Sequence, residues 1–180
     1  MRQKGYTLIE LMTTLAVAAV LISVAMPGMH SFRQNSQMTG TANELLSTMH
    51  LARNTAVTTN SRVTLCASSN GDNCESVAWN EGWIAFIDRD SDQNVDDDET
   101  VLRAGAGDDD LSISSSQYPT FLMYRPNGRV MRNAVNENTG QFSVCDDRGA
   151  NHAKAVILDL SGRPRVADSD SVGVSLSCGS

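Results

Sequence analysis

The chain has 180 residues, of which 14 are lysine or arginine and 21 are aspartate or glutamate, and its formal net charge is −7. This acidic balance excludes a protein that binds nucleic acid through a uniformly basic surface, so an anionic ligand would need a local basic patch. An extended N-terminal helix of about 60 residues would leave about 120 for a globular domain, which is enough for one modest hydrophobic core.

The N-terminal segment has the composition of a membrane anchor. Two basic residues, Arg2 and Lys4, precede the apolar run Leu8–Met26, whose only formal charge is Glu10. The run has about the 20 residues that a helix needs to cross a bilayer core, and the basic leader places the N-terminus in the cytoplasm. An intramembrane carboxylate costs about 3 kcal/mol, so Glu10 should pair with another chain or with an amine made by cleavage after Gly5.

The segment from Gly5 to Leu11 has a glycine, an aromatic residue, and a glutamate five positions after the glycine. It resembles the class III signal of type IV pilins and type II secretion pseudopilins. In that family a prepilin peptidase cleaves after the glycine and the new N-terminus is methylated, which implies cleavage between Gly5 and Tyr6 and N-methylation of Tyr6. The resemblance also implies that Glu10, the fifth mature residue, governs incorporation into a filament. The family usually has phenylalanine where this chain has Tyr6.

An ordinary secretory signal peptide is the alternative interpretation, because residues 23–25 form a small-x-small cleavage site that ends at Ala25. The charge of Glu10 would weaken such a signal. The pilin-type interpretation instead accounts for Gly5, Glu10 and the basic leader together.

The helix is predicted to continue beyond the apolar run. Pro27 and Gly28 should kink it rather than end it, because helical patterning resumes after them. Apolar residues then recur at alternating spacings of four and three, which predicts an amphipathic helix that lays one stripe on a sheet. The stripe consists of Met38, Ala42, Leu45, Met49, Ala52 and Ala56. The predicted organisation is a leader at 1–5, a transmembrane and filament-core helix at 6–28, an amphipathic helix half at 29–60 and a β-rich globular head at 61–180.

From residue 62 onward the hydrophobic period changes to two and turn residues become frequent, which predicts strands. The predicted strands are Val63–Cys66, Gly82–Ile87, Thr100–Arg103, Leu111–Ser114, Thr120–Tyr124, Gly140–Cys145 and Lys154–Leu160. The predicted fold is therefore α+β, with a long N-terminal α-helix, transmembrane and then amphipathic, packed on an antiparallel β-rich head.

The order of the head motifs resembles the minor pilin and pseudopilin group that contains FimT, FimU and the type II secretion H pseudopilin. The resemblance implies a pilin-like fold and an inner-membrane anchor with a periplasmic head. It also implies other major and minor pilins as partners, prepilin peptidase as the processing enzyme, and a place in a cell-surface pilus after assembly.

The four cysteines are predicted to form disulfides, because the chain is exported to an oxidising space and contains no Cys-x-x-Cys motif. Three connectivities are possible. Sequence order favours Cys66 with Cys74, which closes a local loop, and Cys145 with Cys178, which ties the C-terminus to the domain.

Residues 88–110 hold ten acidic side chains against two arginines. Five of the acids, together with one asparagine, occupy positions 1, 3, 5, 7, 9 and 12 of a calcium-loop pattern. They are Asp88, Asp90, Asp92, Asn94, Asp96 and Glu99. Gln93 stands where the EF-hand has glycine, and strands rather than helices flank the segment, which favours a solvated hairpin tip over a calcium site. Cleavage after Ala25 would make the chain a secreted calcium-binding adhesion module, a third functional alternative.

A second charged segment follows the last predicted strand. Gly162 permits a tight turn, Pro164 stiffens it, and Arg163 and Arg165 are held two residues apart on a short rigid loop. Paired guanidinium groups bind phosphate oxygens with little ordering cost.

The pattern Gly162-Arg163-x-Arg165 resembles the GRxR motif with which FimT-type minor pilins bind DNA during natural transformation. The resemblance implies that Arg163 and Arg165 are the primary contacts to the phosphates of double-stranded DNA, with Lys154 and Arg148 as helpers. The structural alternative is that nearby acids or the next pilin subunit neutralise these arginines.

Catalysis has no clear pattern in the sequence, because His30, His50 and His152 have no paired nucleophile and acid. We therefore predict no enzymatic activity and, calcium aside, no cofactor. The sequence favours a DNA-binding minor pilin. An assembly-priming minor pilin similar to FimU, or a type II secretion H pseudopilin, would need no DNA binding.

Overall fold

A computed structural model of the protein describes residues 6–131, 139–168 and 176–178, with the backbone alone at residues 24–27. The leader, which includes Gly5, lies outside the described residues. The chain forms two compact units, of which the first ends at Gln37 and the second begins at Met38. Helix α1, Leu8–Thr59, contributes residues to both units.

The first unit is helical, and its described apolar side chains are exposed. The large ones are Tyr6, Leu8, Ile9, Leu11, Met12, Leu15, Val17, Val20, Leu21, Ile22, Met29 and Phe32. The helix continues through Pro27 and Gly28, as the sequence predicts. Among the described residues no single helix is long and apolar enough to cross a membrane, although Leu8–Ser23 and Gly28–Thr59 meet that criterion as a bent pair. The membrane crossing by Leu8–Met26 stays a prediction.

The second unit contains two antiparallel sheets. The strands are β1 (Val63–Ala67), β2 (Gly82–Ile87), β3 (Thr100–Ala106), β4 (Ser112–Ser114), β5 (Phe121–Tyr124), β6 (Val130–Met131), β7 (Gly140–Cys145), β8 (Lys154–Leu158) and β9 (Pro164–Ala167). The first sheet has the order β3-β2-β1-β5-β6 and the second has the order β4-β7-β8-β9. With α1, these sheets confirm the predicted α+β class.

The apolar stripe of α1 lies at the centre of the core. All six predicted stripe residues are buried, and none is more than 1 % exposed. They share one cluster with inward-facing residues of both sheets, which include Leu65, Leu122, Phe142 and Val156. Burial of each large apolar side chain contributes about 1.5 to 3 kcal/mol, so this stripe holds the second half of the helix on the head.

Trp79 joins the two sheets. It lies in a short 3-10 helix, Trp79–Glu81, and is buried. Its Nε1 donates to the carbonyl oxygens of Tyr118 at 2.9 Å and Pro119 at 3.1 Å, and its ring meets Phe142 edge-on with 5.0 Å between centroids. Trp79 is therefore a core residue of the head.

Both disulfides favoured by sequence order are present. Cys66–Cys74 closes a loop after β1, and Cys145–Cys178 joins the end of β7 to the C-terminal segment. Leu176 is buried against Cys145 and Ile157, so this segment covers the outer face of the second sheet.

Candidate functional site

The hairpin between β8 and β9 carries the predicted arginine pair, and we call residues Asp159–Arg165 the arginine turn. The amide of Gly162 donates to the carbonyl of Asp159 at 2.9 Å, and the amide of Asp159 donates to the carbonyl of Arg163 at 3.2 Å. Gly162 has a φ of +75°, a conformation that favours glycine. The turn-forming role predicted for Gly162 is therefore confirmed.

The Asp159 carboxylate stabilises this turn from within. Its Oδ1 accepts hydrogen bonds from the amide of Ser161 at 2.8 Å, the hydroxyl of Ser161 at 2.6 Å and the amide of Arg163 at 3.0 Å. Partial burial opposes ionisation, but these hydrogen bonds and the nearby Arg163 charge hold the pKa of Asp159 below its usual value. The carboxylate is consequently ionised at neutral pH and serves the backbone of the turn.

Arg165 projects from an edge strand, and Arg163 lies in the turn directly before that strand. The prediction that both arginines lie on a short loop is wrong for Arg165. Strand β9 begins at Pro164, and Arg165 pairs with Ile157 of β8. Pro164 is buried while Arg163 and Arg165 are exposed, as strand alternation requires. Neither arginine forms an ion pair with any residue that the structure describes. Both guanidinium groups are thus accessible to a ligand.

The acids that could have neutralised this pair bind elsewhere or lie outside the described residues. Asp159 bonds to its own turn, and Asp168 forms an ion pair with Lys154 at 2.8 Å. Asp170 is outside the described residues. Lys154, predicted as a helper, is therefore already paired, which lowers its value as a phosphate contact.

The other predicted helper is also held in an ion pair. Arg148 lies 2.6 Å from the almost fully buried carboxylate of Asp146. Burial opposes ionisation of Asp146, but the hydrogen bonds from Arg148 hold its pKa below the usual value. The structure does not bring Arg148 to the arginine turn as a free cation.

A second turn packs directly against Gly162. The hairpin between β5 and β6 is closed by hydrogen bonds between Arg125 and Arg129 at 2.9 Å and between Gly128 and Arg125 at 2.8 Å. A Cβ atom added to Gly162 would lie 2.1 Å from the carbonyl oxygen of Gly128 and 3.0 Å from the Cα of Arg129. Arg53 of α1 donates its Nε to that same carbonyl at 3.1 Å. The two turns and the helix therefore meet at Gly128.

A groove opens beside Arg165 on the outer face of the second sheet. Its volume is about 580 Å³. It is lined by Gln117, Thr139, Gly140, Gln141, Ile157, Leu158, Asp159, Leu160, Ser161 and Arg165. The lining mixes amide, aliphatic and charged groups, and it brings the Asp159 carboxylate as well as the Arg165 guanidinium to the groove.

The predicted assembly residue Glu10 caps its own helix. The amide of Glu10 donates to the hydroxyl of Thr7 at 3.3 Å, and the amide of Thr7 donates to the Glu10 carboxylate at 3.5 Å. This reciprocal arrangement is a capping box, which satisfies two amides at the start of α1. Tyr6, the predicted first mature residue, is exposed beside it.

The predicted calcium loop lies between β2 and β3. Carboxylate oxygens of Asp88, Asp90 and Glu99 lie within 4.8 Å of one another, and so do those of Asp90, Asp92 and Asp96. Five of the six predicted residues thus gather, and Asn94 instead donates to Asp92 at 2.8 Å.

Hydrogen bonds, most of them from within the loop, stabilise two of its carboxylates. Buried Asp88 accepts from Thr64 at 2.6 Å and from the Ser91 amide at 2.6 Å, while Glu99 accepts from the Arg89 amide at 2.6 Å. Gln93 has a φ of +66°, so it takes the left-handed conformation at the place where the EF-hand has glycine. These bonds give the loop internal support, and calcium binding stays a prediction.

Two family models match the sequence of this chain, and two solved structures share its fold. The family described as Type II transport protein GspH matches residues 41–162, which is more than half of the chain. The chain belongs to the GspH family. The prokaryotic N-terminal methylation motif matches residues 1–26 of this GspH-family protein. No curated protein matches it.

Two crystal structures of the type IV minor pilin FimU from Pseudomonas aeruginosa share the fold. The first, in space group P21, has a TM-score of 0.58 at 17% sequence identity and covers 76% of this chain and 92% of the FimU chain. The second, in space group P65, has a TM-score of 0.56 at 17% identity and covers 72% and 91% respectively. At this identity the likeness shows a common fold.

Family, motif and fold together place the GspH-family protein among the minor pilins and pseudopilins of the FimT, FimU and GspH group. Such a subunit serves a type IV pilus or a type II secretion system. The methylation motif implies processing by a prepilin peptidase, membrane anchoring and assembly with other pilins.

The sequence analysis of this GspH-family protein did not predict that Arg129 lies beside the arginine turn. The local signal is visible afterwards, because Gly128-Arg129 and Gly162-Arg163 are two Gly-Arg pairs that each follow a strand and a turn residue. Nothing in the hydrophobic period indicates that the two turns touch.

An Asp96→Asn variant of the GspH-family protein should melt at a higher temperature than wild type at neutral pH when a chelator removes calcium. Partial desolvation within the loop and the charges of neighbouring acids raise the pKa of the exposed Asp96 carboxyl, so its ionised form is disfavoured in the folded loop. The advantage should shrink as the pH falls and the wild-type carboxyl takes up its proton. Thermal unfolding across a pH series checks this, and a lower melting temperature for the variant would contradict it.

The same pair of proteins tests the calcium prediction. If calcium binds the loop, added calcium raises the wild-type melting temperature and Asp96→Asn loses most of that increase. Equal responses of the two proteins would identify the loop as a solvated hairpin tip.

Proposed function

We propose that this protein is a minor pilin of a type IV pilus that binds extracellular double-stranded DNA, without sequence preference, for uptake in natural transformation. The observation that carries the proposal is the exposure of Arg163, in a turn fixed by Asp159 and Gly162, and of Arg165, on the edge strand that follows it. A fixed backbone lowers the ordering entropy of two charge-assisted contacts to phosphate.

Assembly follows from the N-terminal segment. Cleavage between Gly5 and Tyr6 makes an N-terminal amine, which is methylated, and Glu10 of one subunit pairs with the N-terminus of another. The exposed apolar side chains between Leu8 and Ile22 anchor the subunit in the inner membrane and become filament core after extraction. The head then reaches the periplasm and the cell surface, with major and minor pilins as partners.

The acidic net charge of the chain limits the DNA contact to a local surface. The acids of the 88–99 loop lie in the turn between β2 and β3 of the first sheet, whereas the arginine turn belongs to the second sheet. Binding of this kind uses few phosphate contacts, so it should be weak, sequence-independent and sensitive to salt.

A second candidate is an assembly subunit without DNA binding, either a FimU-like minor pilin that primes assembly or a type II secretion H pseudopilin. The family match and the fold shared with FimU support this candidate as much as they support a DNA-binding minor pilin. In that case Arg163 and Arg165 pair with acids of the next subunit.

Removal of both arginines decides between these candidates. The full chain in nonionic detergent is titrated against labelled double-stranded DNA of mixed sequence, at about 50 mM and about 200 mM salt. We expect Arg163→Ala/Arg165→Ala to weaken binding at least about tenfold at the lower salt and to flatten the salt dependence by about two contacts.

The matched control is Arg89→Ala/Arg103→Ala, which removes the same charge from exposed positions in and beside the β2–β3 hairpin. This control should bind DNA like wild type. If wild type shows no salt-sensitive binding, the arginine turn is structural and the second candidate is correct. If both double variants lose affinity equally, only net charge matters and the arginine turn is no site.

A further inference from the structure

We propose that Arg129, on the turn between β5 and β6, is a third phosphate contact, and that this turn and the arginine turn form one binding surface for a polyanion. The inference rests on the proposed function and enlarges its site. It assigns binding to a residue that lies 34 positions before Arg163 in the sequence.

The closeness of the two turns is set by backbone atoms. Gly162 and Gly128 are both buried, and both have a φ of +75°. The space that a Cβ of Gly162 would need is occupied by the carbonyl of Gly128 and the Cα of Arg129. Since Arg163 follows Gly162 directly, the Cα atoms of Arg129 and Arg163 are near neighbours across this contact.

Arg129 combines a fixed backbone with an accessible side chain. Its amide donates to the side-chain oxygen of Asn127 at 3.0 Å, and its carbonyl accepts from the amide of Arg125 at 2.9 Å. Val130, the next residue, is fully buried in the core. The Arg129 side chain is exposed and forms no ion pair with any residue in the described ranges.

Arg53 acts as a positioning residue for this surface. It is half-buried on α1, and its Nε hydrogen bond to the Gly128 carbonyl holds the second turn against the helix. Its positive charge also adds to the local potential behind Arg129 and Arg163. The Asp159 carboxylate offsets part of that potential, and its Oδ1 accepts hydrogen bonds from the amides and hydroxyl of its own turn.

The arrangement determines the class of ligand. Three exposed guanidinium groups on two adjoining turns suit a chain of phosphates, because each arginine can then take a different group. A free inorganic phosphate or a mononucleotide would occupy only part of the surface. We therefore expect a nucleic-acid backbone to bind much more tightly than inorganic phosphate.

The test is fluorescence anisotropy of labelled double-stranded DNA with the full chain in nonionic detergent, over a series of salt concentrations. Arg129→Ala should weaken binding about threefold to tenfold and reduce the slope of log affinity against log salt by about one contact. Arg129→Lys should keep the slope, because it keeps the charge. Arg89→Ala, which removes one exposed arginine from the β2–β3 loop, should leave affinity and slope unchanged.

The outcomes separate this inference from the proposed function. If wild type binds DNA, Arg163→Ala/Arg165→Ala abolishes binding and Arg129→Ala binds with an unchanged slope, then the third contact is wrong and the proposed function stands. If wild type does not bind DNA, both fail together. A lower affinity of Arg129→Ala without a change in slope would make Arg129 a structural residue and would also overturn the inference.

Discussion

A Gly162→Ala variant is expected to destabilise the head by about 2 kcal/mol or more and to weaken DNA binding at the same time. The left-handed backbone conformation alone costs an alanine about 1 to 2 kcal/mol. The added Cβ would also lie 2.1 Å from the carbonyl oxygen of Gly128, a backbone atom that cannot rotate away as a flexible side chain could. The two turns must therefore separate, which moves Arg129 away from Arg163.

Gly149→Ala is the matched control for this effect. Gly149 has a φ of +79°, close to that of Gly162, but an added Cβ there meets no atom within 4 Å. It should therefore show the conformational penalty alone and bind DNA like wild type. Thermal unfolding and anisotropy titrations of both variants measure the two effects. Equal melting temperatures and equal affinities for the two variants would show that the contact between the turns has no energetic or functional weight.

The hydrophobic pattern of the sequence correctly predicts those elements of the head whose side chains are buried. The stripe from Met38 to Ala56 is apolar because it faces both sheets, and its alternating spacing of four and three places these residues on one face of the helix. The strand Gly82–Ile87 is predicted with its observed bounds, since five of its six residues are buried and turn residues flank it. The burial of such residues can be predicted because their side chains are apolar and recur with the period of the helix or strand.

The pattern fails where structure depends on an edge or on a contact between distant turns. Strand β9 begins with Pro164, which has no amide hydrogen and is tolerated because it starts an edge strand. Strand β6 has only two residues and therefore no period to detect. The approach of Gly128 to Gly162 joins parts of the chain that share no hydrogen-bonded ladder, so no local rule predicts it.

The charged residues show the same limit. Sequence composition treats Lys154, Arg148, Arg163 and Arg165 as equal cations near the C-terminus. The structure divides them, because Lys154 and Arg148 have acidic partners while the arginine pair of the turn forms no ion pair among the described residues. Which acid meets which base is decided by strand register and turn geometry, and these are long-range properties.

Replacement of Glu10 is expected to remove the protein from assembled filaments. In a membrane environment an unpaired carboxylate costs about 3 kcal/mol, so docking on the N-terminal amine of a neighbouring subunit is favoured by that amount and by the charge pair itself. Glu10→Ala loses this pairing and the capping box with Thr7 together. Immunoblots of sheared filaments and of the membrane fraction measure incorporation, and mass spectrometry of the membrane form shows whether cleavage after Gly5 still occurs.

Glu10→Gln separates the two roles that the structure gives this side chain. Glutamine can replace glutamate in a capping box, so the start of α1 keeps its hydrogen bonds while the negative charge is lost. We expect Glu10→Gln to be cleaved and anchored but absent from filaments, as Glu10→Ala is. Incorporation of Glu10→Gln at the wild-type level would instead mean that Glu10 supports assembly by capping the helix, and that charge pairing between subunits plays no part.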